Sequence, residues 1–258
     1  MTVHFIGGGP GAADLLTLRA VRLLQESPVC VYAGTYVDPQ VLEHCSVGTT
    51  MIDSQGLDLD QITERLVQAD AAGQDVARLC SGDPSVYSAV AEQARRLDRA
   101  GVDWDITPGV PAYAAAAALV GRELTVPEVA QTVILTRAQA ASTAMPESEA
   151  LPGLAAHRAT LVLHLAIRRT RQIVGQLVPS YGEDCPVVVV ADATKPSQQI
   201  LRGTLADITD QVERAGLRQA AVIMVGRALQ AGDFTESHLY SQRRQQSGRN
   251  AVSTPRAD

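Results

Sequence analysis

The sequence predicts an α/β protein of two domains, and three observations carry that prediction. Short apolar runs alternate with longer stretches of helical periodicity through the first half of the chain. Single glycines, Gly73 and Gly101, close two of those helical stretches, as glycine does at a helix C-terminus. The alternation then breaks over residues 120–130 and resumes with a larger share of strand. A chain of 258 residues has room for two domains of about 120 residues each. The expected division is an N-terminal α/β domain over 1–118, a C-terminal α/β domain with a mixed sheet over 119–240, and a polar, flexible tail over 241–258.

Taken in order, residues 3–6 read as a strand and 15–24 as a helix with Asp14 or Thr17 near its start. Residues 29–32 read as a strand and 39–44 as a short helix. Apolar residues at 59, 62, 66 and 69 have helical spacing and predict a helix over 59–72. Residues 76–80 are a strand, followed by a helix over 86–100 that Asp83 would cap and Pro84 would open. A strand over 104–107 leads into an alanine-rich helix over 111–119, whose small side chains permit close packing. In the second half, strands are expected at 131–136, 160–164, 186–191, 199–203 and 221–225, the third and fourth as a hairpin-like pair. Helices are expected at 168–178 and 204–214. Residues 137–152 are polar and proline-containing, a loop with a short helix.

Composition narrows the function. Hydrophobic residues make up 46% and aromatic residues 3%, so the cores must be built from Val, Leu, Ile and Ala. The net charge of −6 argues against nucleic acid as a partner. Cys30, Cys45, Cys80 and Cys185 are scattered, with no paired ligand spacing, so no metal site is expected. Free thiols suit a cytoplasmic location. Neither a signal peptide nor a membrane span is expected.

Three turns rich in Gly and Pro follow predicted strands. They are Gly7-Gly8-Gly9-Pro10-Gly11, Ser81-Gly82-Asp83-Pro84 and Thr107-Pro108-Gly109-Val110-Pro111. In a parallel α/β sheet, turns at the carboxyl ends of strands line the ligand crevice, so these three are expected to converge on a site. The first has the position of a dinucleotide loop, and a dinucleotide-binding regulatory module is the rival of a different class. Against it, Pro10 removes an N–H that a phosphate would use. No acidic residue ends the strand near Tyr32, where a ribose partner belongs.

These turns, together with Asp14, Leu15, Leu16 and Thr17, resemble the tetrapyrrole (corrin/porphyrin) methylase family over about residues 2–230. Within the family, three stretches are most similar to the methylases acting on precorrin-4 at C11. They are residues 31–37, residues 53–57, and Arg122-Glu123-Leu124-Thr125-Val126-Pro127-Glu128-Val129 continuing to Thr136 and Arg137. Ala33 and Gly34 stand where the uroporphyrinogen III methylases of the family carry Asp-Arg, which argues against that substrate.

The resemblance implies two α/β domains with S-adenosyl-L-methionine between them, converted to S-adenosyl-L-homocysteine, and usually a homodimer. Carried over residue by residue, it implies cofactor contacts at Pro10, Ser81, Gly82, Asp83, Val86, Pro111 and Ala112, then Leu165 and Ala193 in the second domain. Asp83 is also the candidate base. The implied substrate is a polycarboxylate tetrapyrrole, which suits bidentate arginines. Arg122 and Arg137 are the first candidates, and Arg168, Arg169 and Arg171 the second. Tyr36 and Tyr113 are candidates to border the macrocycle. Cobalt-precorrin-4, another precorrin and uroporphyrinogen III are the alternative substrates.

Overall fold

The computed structural model describes residues 1–138, 144–232 and 234. The expected tail over 241–258 lies outside the described residues. The chain divides into two compact units. The first comprises Met1–Gly121 with Val190–Ile200 and Arg218–Val222, and the second Arg122–Val189 with Leu201–Leu217 and the remainder.

The first unit is built on β1 (Thr2–Gly7), β2 (Val29–Tyr32), β3 (Thr50–Asp53), β4 (Val76–Cys80) and β5 (Asp103–Thr107). They form one sheet in the order β3-β2-β4-β1-β5. Every adjacent pair is parallel, with Val3 opposite Val76, Phe5 opposite Ile106 and Val29 opposite Thr50. The connecting helices are α1 (Leu18–Glu26), α2 (Pro39–Leu42), α3 (Leu59–Ala71) and α4 (Val90–Ala100), with α5 (Ala112–Val120) after the last strand.

The pleat of β4 serves both faces of the sheet. Val76 and Cys80 join Val3, Phe5 and Val31 in one apolar cluster with Leu66 of α3 and Leu97 of α4. Ala77 and Leu79 join Ile6 and Cys30 in another with Ala20 and Leu24 of α1. A strand buried on both sides reads as a continuous apolar run, which is why β1, β2 and β4 are evident in the sequence.

The second sheet has the order β6-β7-β10-β8-β9 and is mixed: β7 pairs parallel with β6 and antiparallel with β10. Its strands are β6 (Val133–Arg137), β7 (Thr160–His164), β8 (Pro186–Ala191), β9 (Gln199–Thr204) and β10 (Ala221–Val225). The accompanying helices are α6 (Leu151–Ala155), α7 (Thr170–Tyr181) and α8 (Ile208–Arg214). Two buried hydroxyls fasten loops here. Thr160 Oγ1 donates to Leu124 O at 2.7 Å, and the Tyr181 hydroxyl donates to Ala159 O at 2.7 Å. Among the described residues, no helix is long and apolar enough to cross a membrane.

Three expectations are corrected. The helix expected from residue 86 begins at Val90, with Ala89 in the left-handed conformation before it, so Asp83 and Pro84 neither cap nor open a helix. The strand β3 was not expected, because it lies at the sheet edge with Thr50, Met51 and Asp53 exposed and so lacks an apolar signature. The helix expected from residue 204 begins at Ile208, since Thr204 ends β9 and donates its N–H to Asp207 Oδ1 at 2.7 Å.

Candidate active site

The three glycine turns meet at the carboxyl edge of the first sheet. Gly8 N donates to Cys80 O at 2.7 Å, while Gly9 and Gly82 exchange backbone hydrogen bonds of 3.1 and 2.8 Å. Gly7 and Gly109 approach so closely that a Cβ on Gly7 would lie 2.4 Å from Gly109 N. A Cβ on Gly109 would in turn lie 2.4 Å from Gly82 O. Only glycine fits at these two positions, because backbone fills the space a side chain would take.

Asp83 locks the arrangement with its side chain. Oδ2 accepts from Gly109 N at 2.8 Å, and Oδ1 accepts from Ser85 N at 2.8 Å and from the Ser85 hydroxyl. Burial acts to raise the Asp83 pKa, but the bonds from Ser85 and Gly109 outweigh it and hold the carboxyl below its ordinary value. A carboxylate so occupied is a poor base. The geometry makes it a clasp between the turns after β4 and β5.

The first turn is fastened on its other side as well. Ala12 N donates to Thr194 Oγ1 at 2.9 Å, and a Cβ on Gly11 would lie 2.7 Å from Ala193 O. Ala193, expected in the second domain, therefore belongs to the first unit. A Cβ on Gly82 would sit 3.5 Å from Ala112 N and 3.6 Å from the Pro111 Cα. Val86 N donates to Asp83 O at 3.3 Å. Pro10, Ser81, Gly82, Asp83, Val86, Pro111, Ala112 and Ala193 thus lie on one set of interlocked loops. Leu165 follows β7 in the second unit and is 68% exposed.

Five of the eight non-glycine residues with positive φ among the described residues lie at or near the candidate cofactor residues, the others being Glu128, Arg158 and Ala220. Positive φ values occur at Tyr87 (55°) and Ala89 (51°) beside Val86, at Leu165 (53°) itself, and at Asp192 (47°) and Thr194 (67°) on either side of Ala193. A non-glycine residue in this region persists only where its surroundings force it, and such residues gather at functional sites. No sequence pattern announces this strain.

The loops after β2 and β3 are also joined. Asp53 Oδ1 accepts from Gly34 N at 3.0 Å and from Gln55 N at 2.9 Å. Tyr36, on the same post-β2 loop, is 43% exposed.

The arginine candidates separate. Arg122 donates to Ala231 O at 2.9 Å. Arg171 grips Glu213 with two nitrogens, the shortest distance being 2.9 Å, so this second-choice candidate is engaged in a surface ion pair. Arg137 and Arg169 line one cavity of about 480 Å³ in the second unit with Glu149, Gln172, Ile173 and Gln176. Arg137 also donates to Ala144 O at 3.1 Å. Two residues that pattern reading missed, Arg78 and Gln93, are buried under the turns. A charge inside the apolar run of residues 76–80 was the available signal for the first.

The three glycine turns are made largely of main chain and small side chains, with Asp83 as their clasp.

The family model of the Tetrapyrrole (Corrin/Porphyrin) Methylases matches residues 2–209. The precorrin-4 C(11)-methyltransferase of Rhodococcus erythropolis is 56% identical over 245 residues, covering 95% of this chain and 98% of its own. A crystal structure of a cobalamin biosynthetic enzyme, cobalt precorrin-4 methyltransferase, superposes with a TM-score of 0.86 at 37% identity, covering 89% of this chain and 96% of that one. A uroporphyrin-III C-methyl transferase from Thermus thermophilus, solved with S-adenosyl homocysteine, gives 0.76 at 27% identity, covering 89% and 99%.

Proposed function

The chain belongs to the tetrapyrrole (corrin/porphyrin) methylases, and from that premise we propose that its interlocked glycine turns hold S-adenosylmethionine for the methylation of precorrin-4 at C11. The observation that carries the cofactor assignment is the closure of Gly7, Gly82 and Gly109 on one another, clasped by Asp83. The closeness to the Rhodococcus enzyme over nearly the full length of both chains carries the substrate. The chain is a methyltransferase of cobalamin biosynthesis.

The reaction is an in-line displacement. The electron pair of an enamine-like C11 forms a bond to the methyl carbon, and the carbon–sulfur bond breaks. Sulfur retains the pair and becomes the neutral thioether of S-adenosylhomocysteine. The methylated, iminium-like macrocycle then loses a proton to water, which gives precorrin-5. Catalysis of this kind depends mainly on placing the two carbons about 3–3.5 Å apart. A site that excludes water also favours it, because the sulfonium charge disperses in the transition state. Asp83 serves as a fixed clasp in this scheme, its two oxygens already occupied by Gly109 and Ser85. Arg137 and Arg169, at their shared cavity, receive a peripheral carboxylate of the macrocycle. Tyr36 of the first unit and Arg122 of the second are further residues assigned to the substrate.

The molecule is read as a cytoplasmic homodimer. Four free thiols suit a reducing compartment, and light scattering measures the assembly. Cobalt-precorrin-4 is the second substrate reading, favoured by the structural likeness to the enzyme for that compound. Membership of the tetrapyrrole methylases speaks against a dinucleotide-binding module.

The test is incubation with radiolabelled S-adenosylmethionine and, in parallel, precorrin-4, cobalt-precorrin-4, precorrin-2 and uroporphyrinogen III. Label at C11 of precorrin-4 alone is expected. Preference for the cobalt compound moves the substrate, and absence of label with every acceptor refutes the methylase reading.

A further inference from the structure

Arg78 sits in the middle of β4, a strand buried on both faces, and is 8% exposed. Burial pulls its pKa below the ordinary value, opposed by Cys80 and Cys30, yet a guanidinium remains charged in a protein. An apolar side chain is the usual occupant of such a position. A buried charge is tolerated only where its N–H groups are satisfied. Nε donates to Gln93 Oε1 at 3.0 Å. Nη1 faces Leu79 O at 3.3 Å, Val31 O at 3.4 Å and, more weakly, Ser54 Oγ at 3.5 Å. These acceptors come from the ends of β2 and β4, the turn after β3, and α4.

Gln93 passes the constraint on. It is 1% exposed, and its Nε2 donates to Ala89 O at 3.1 Å. Its backbone N–H reaches the same carbonyl at 3.3 Å. Ala89 and Tyr87 are the two left-handed residues that close the loop after β4. A left-handed non-glycine residue is strained, so this backbone needs an anchor, and the chain Arg78–Gln93–Ala89 supplies it.

We propose that Arg78, acting through Gln93, is a positioning residue for the cofactor: it fixes the left-handed segment 87–89 and thereby the shape of the loop over 81–86. Through Ser54 the same guanidinium steadies the turn after β3, whose own hydroxyl donates to Tyr32 O at 2.9 Å. The inference rests on the reading that the loop over 81–86 binds S-adenosylmethionine.

The experiment compares Arg78→Lys, Gln93→Leu and the double variant with the wild-type protein. Three quantities are measured: S-adenosylhomocysteine affinity by calorimetry, amide exchange over residues 85–89, and cooperative melting. Each single variant is expected to bind about tenfold more weakly and to exchange faster over 85–89 than over β1 and β4. The double variant is expected to be no worse than either single, since both cut one relay. Lower melting temperatures with wild-type affinity and unchanged exchange over 85–89 would reduce the pair to a structural role and overturn the proposal. Additive losses in the double variant overturn the route through Gln93. Wild-type protein that binds no S-adenosylhomocysteine overturns the site reading and this inference together. Should Arg78→Lys fail to fold, Gln93→Leu and Gln93→Met decide the matter by the same readings.

Discussion

Asp83 shows how a single side chain is diverted from chemistry to architecture. Its two oxygens are occupied by Gly109 N, Ser85 N and the Ser85 hydroxyl, and those bonds outweigh burial to hold its pKa down. A carboxylate whose folded pKa lies below its unfolded value stabilises the fold above the unfolded pKa. That contribution disappears as the pH falls through the folded pKa. Asp83→Asn keeps the shape and loses the charge. It is expected to melt about 2–4 °C below the wild type at pH 7, on the order of 1 kcal/mol for partly exposed, solvent-screened charge-assisted bonds. The gap should close as the pH drops below about 4, and calorimetric scans at pH 7, 5 and 3 measure it. A gap that stays constant with pH would assign the loss to packing. The sequence supplied the identity of this residue and the turn around it. It suggested a helix cap, because the Asp-Pro pair has that local preference. The distant partner, Gly109, won the carboxylate instead.

Among the elements, legibility followed burial. The doubly buried β1, β2 and β4 and the long amphipathic α3 stand out in the sequence, because one period dominates each of them. The edge strand β3 does not, and neither does the left-handed entry to α4, since both are imposed by tertiary contacts. Two glycines give the element scale a direct test. Gly109 has backbone where a Cβ would go, whereas Gly175, inside α7, has nothing within 4 Å of that point. Gly109→Ala is expected to lower the melting temperature by about 6 °C or more through overpacking and to abolish S-adenosylhomocysteine binding. Gly175→Ala is expected to raise it by about 2–4 °C, as a glycine in a helix interior costs about 1 kcal/mol relative to alanine. Thermal melts of the two variants side by side check both signs.

For the whole molecule, the cofactor is expected to act as a thermodynamic brace. Free S-adenosylhomocysteine at 100 times its Kd adds about 2.7 kcal/mol, or roughly 5–10 °C in melting temperature for a chain of this size. Differential scanning fluorimetry measures it, and an unchanged melt at saturating ligand speaks against the site. The sheet order of the first unit carries a further consequence, for synthesis on the ribosome. The apolar strand β1 emerges first, but its partners are β4 and β5, with Val3 opposite Val76 and Thr2 opposite Asp103. At about 5–20 residues per second, β1 waits roughly 4–15 s for its nearer neighbour. The unit is complete only once Arg218–Val222 has been made. Val3, Phe5 and Ile6, fully buried in the finished protein, lack their sheet partners throughout that interval. Folding of the first unit therefore has to wait for strands made much later than β1.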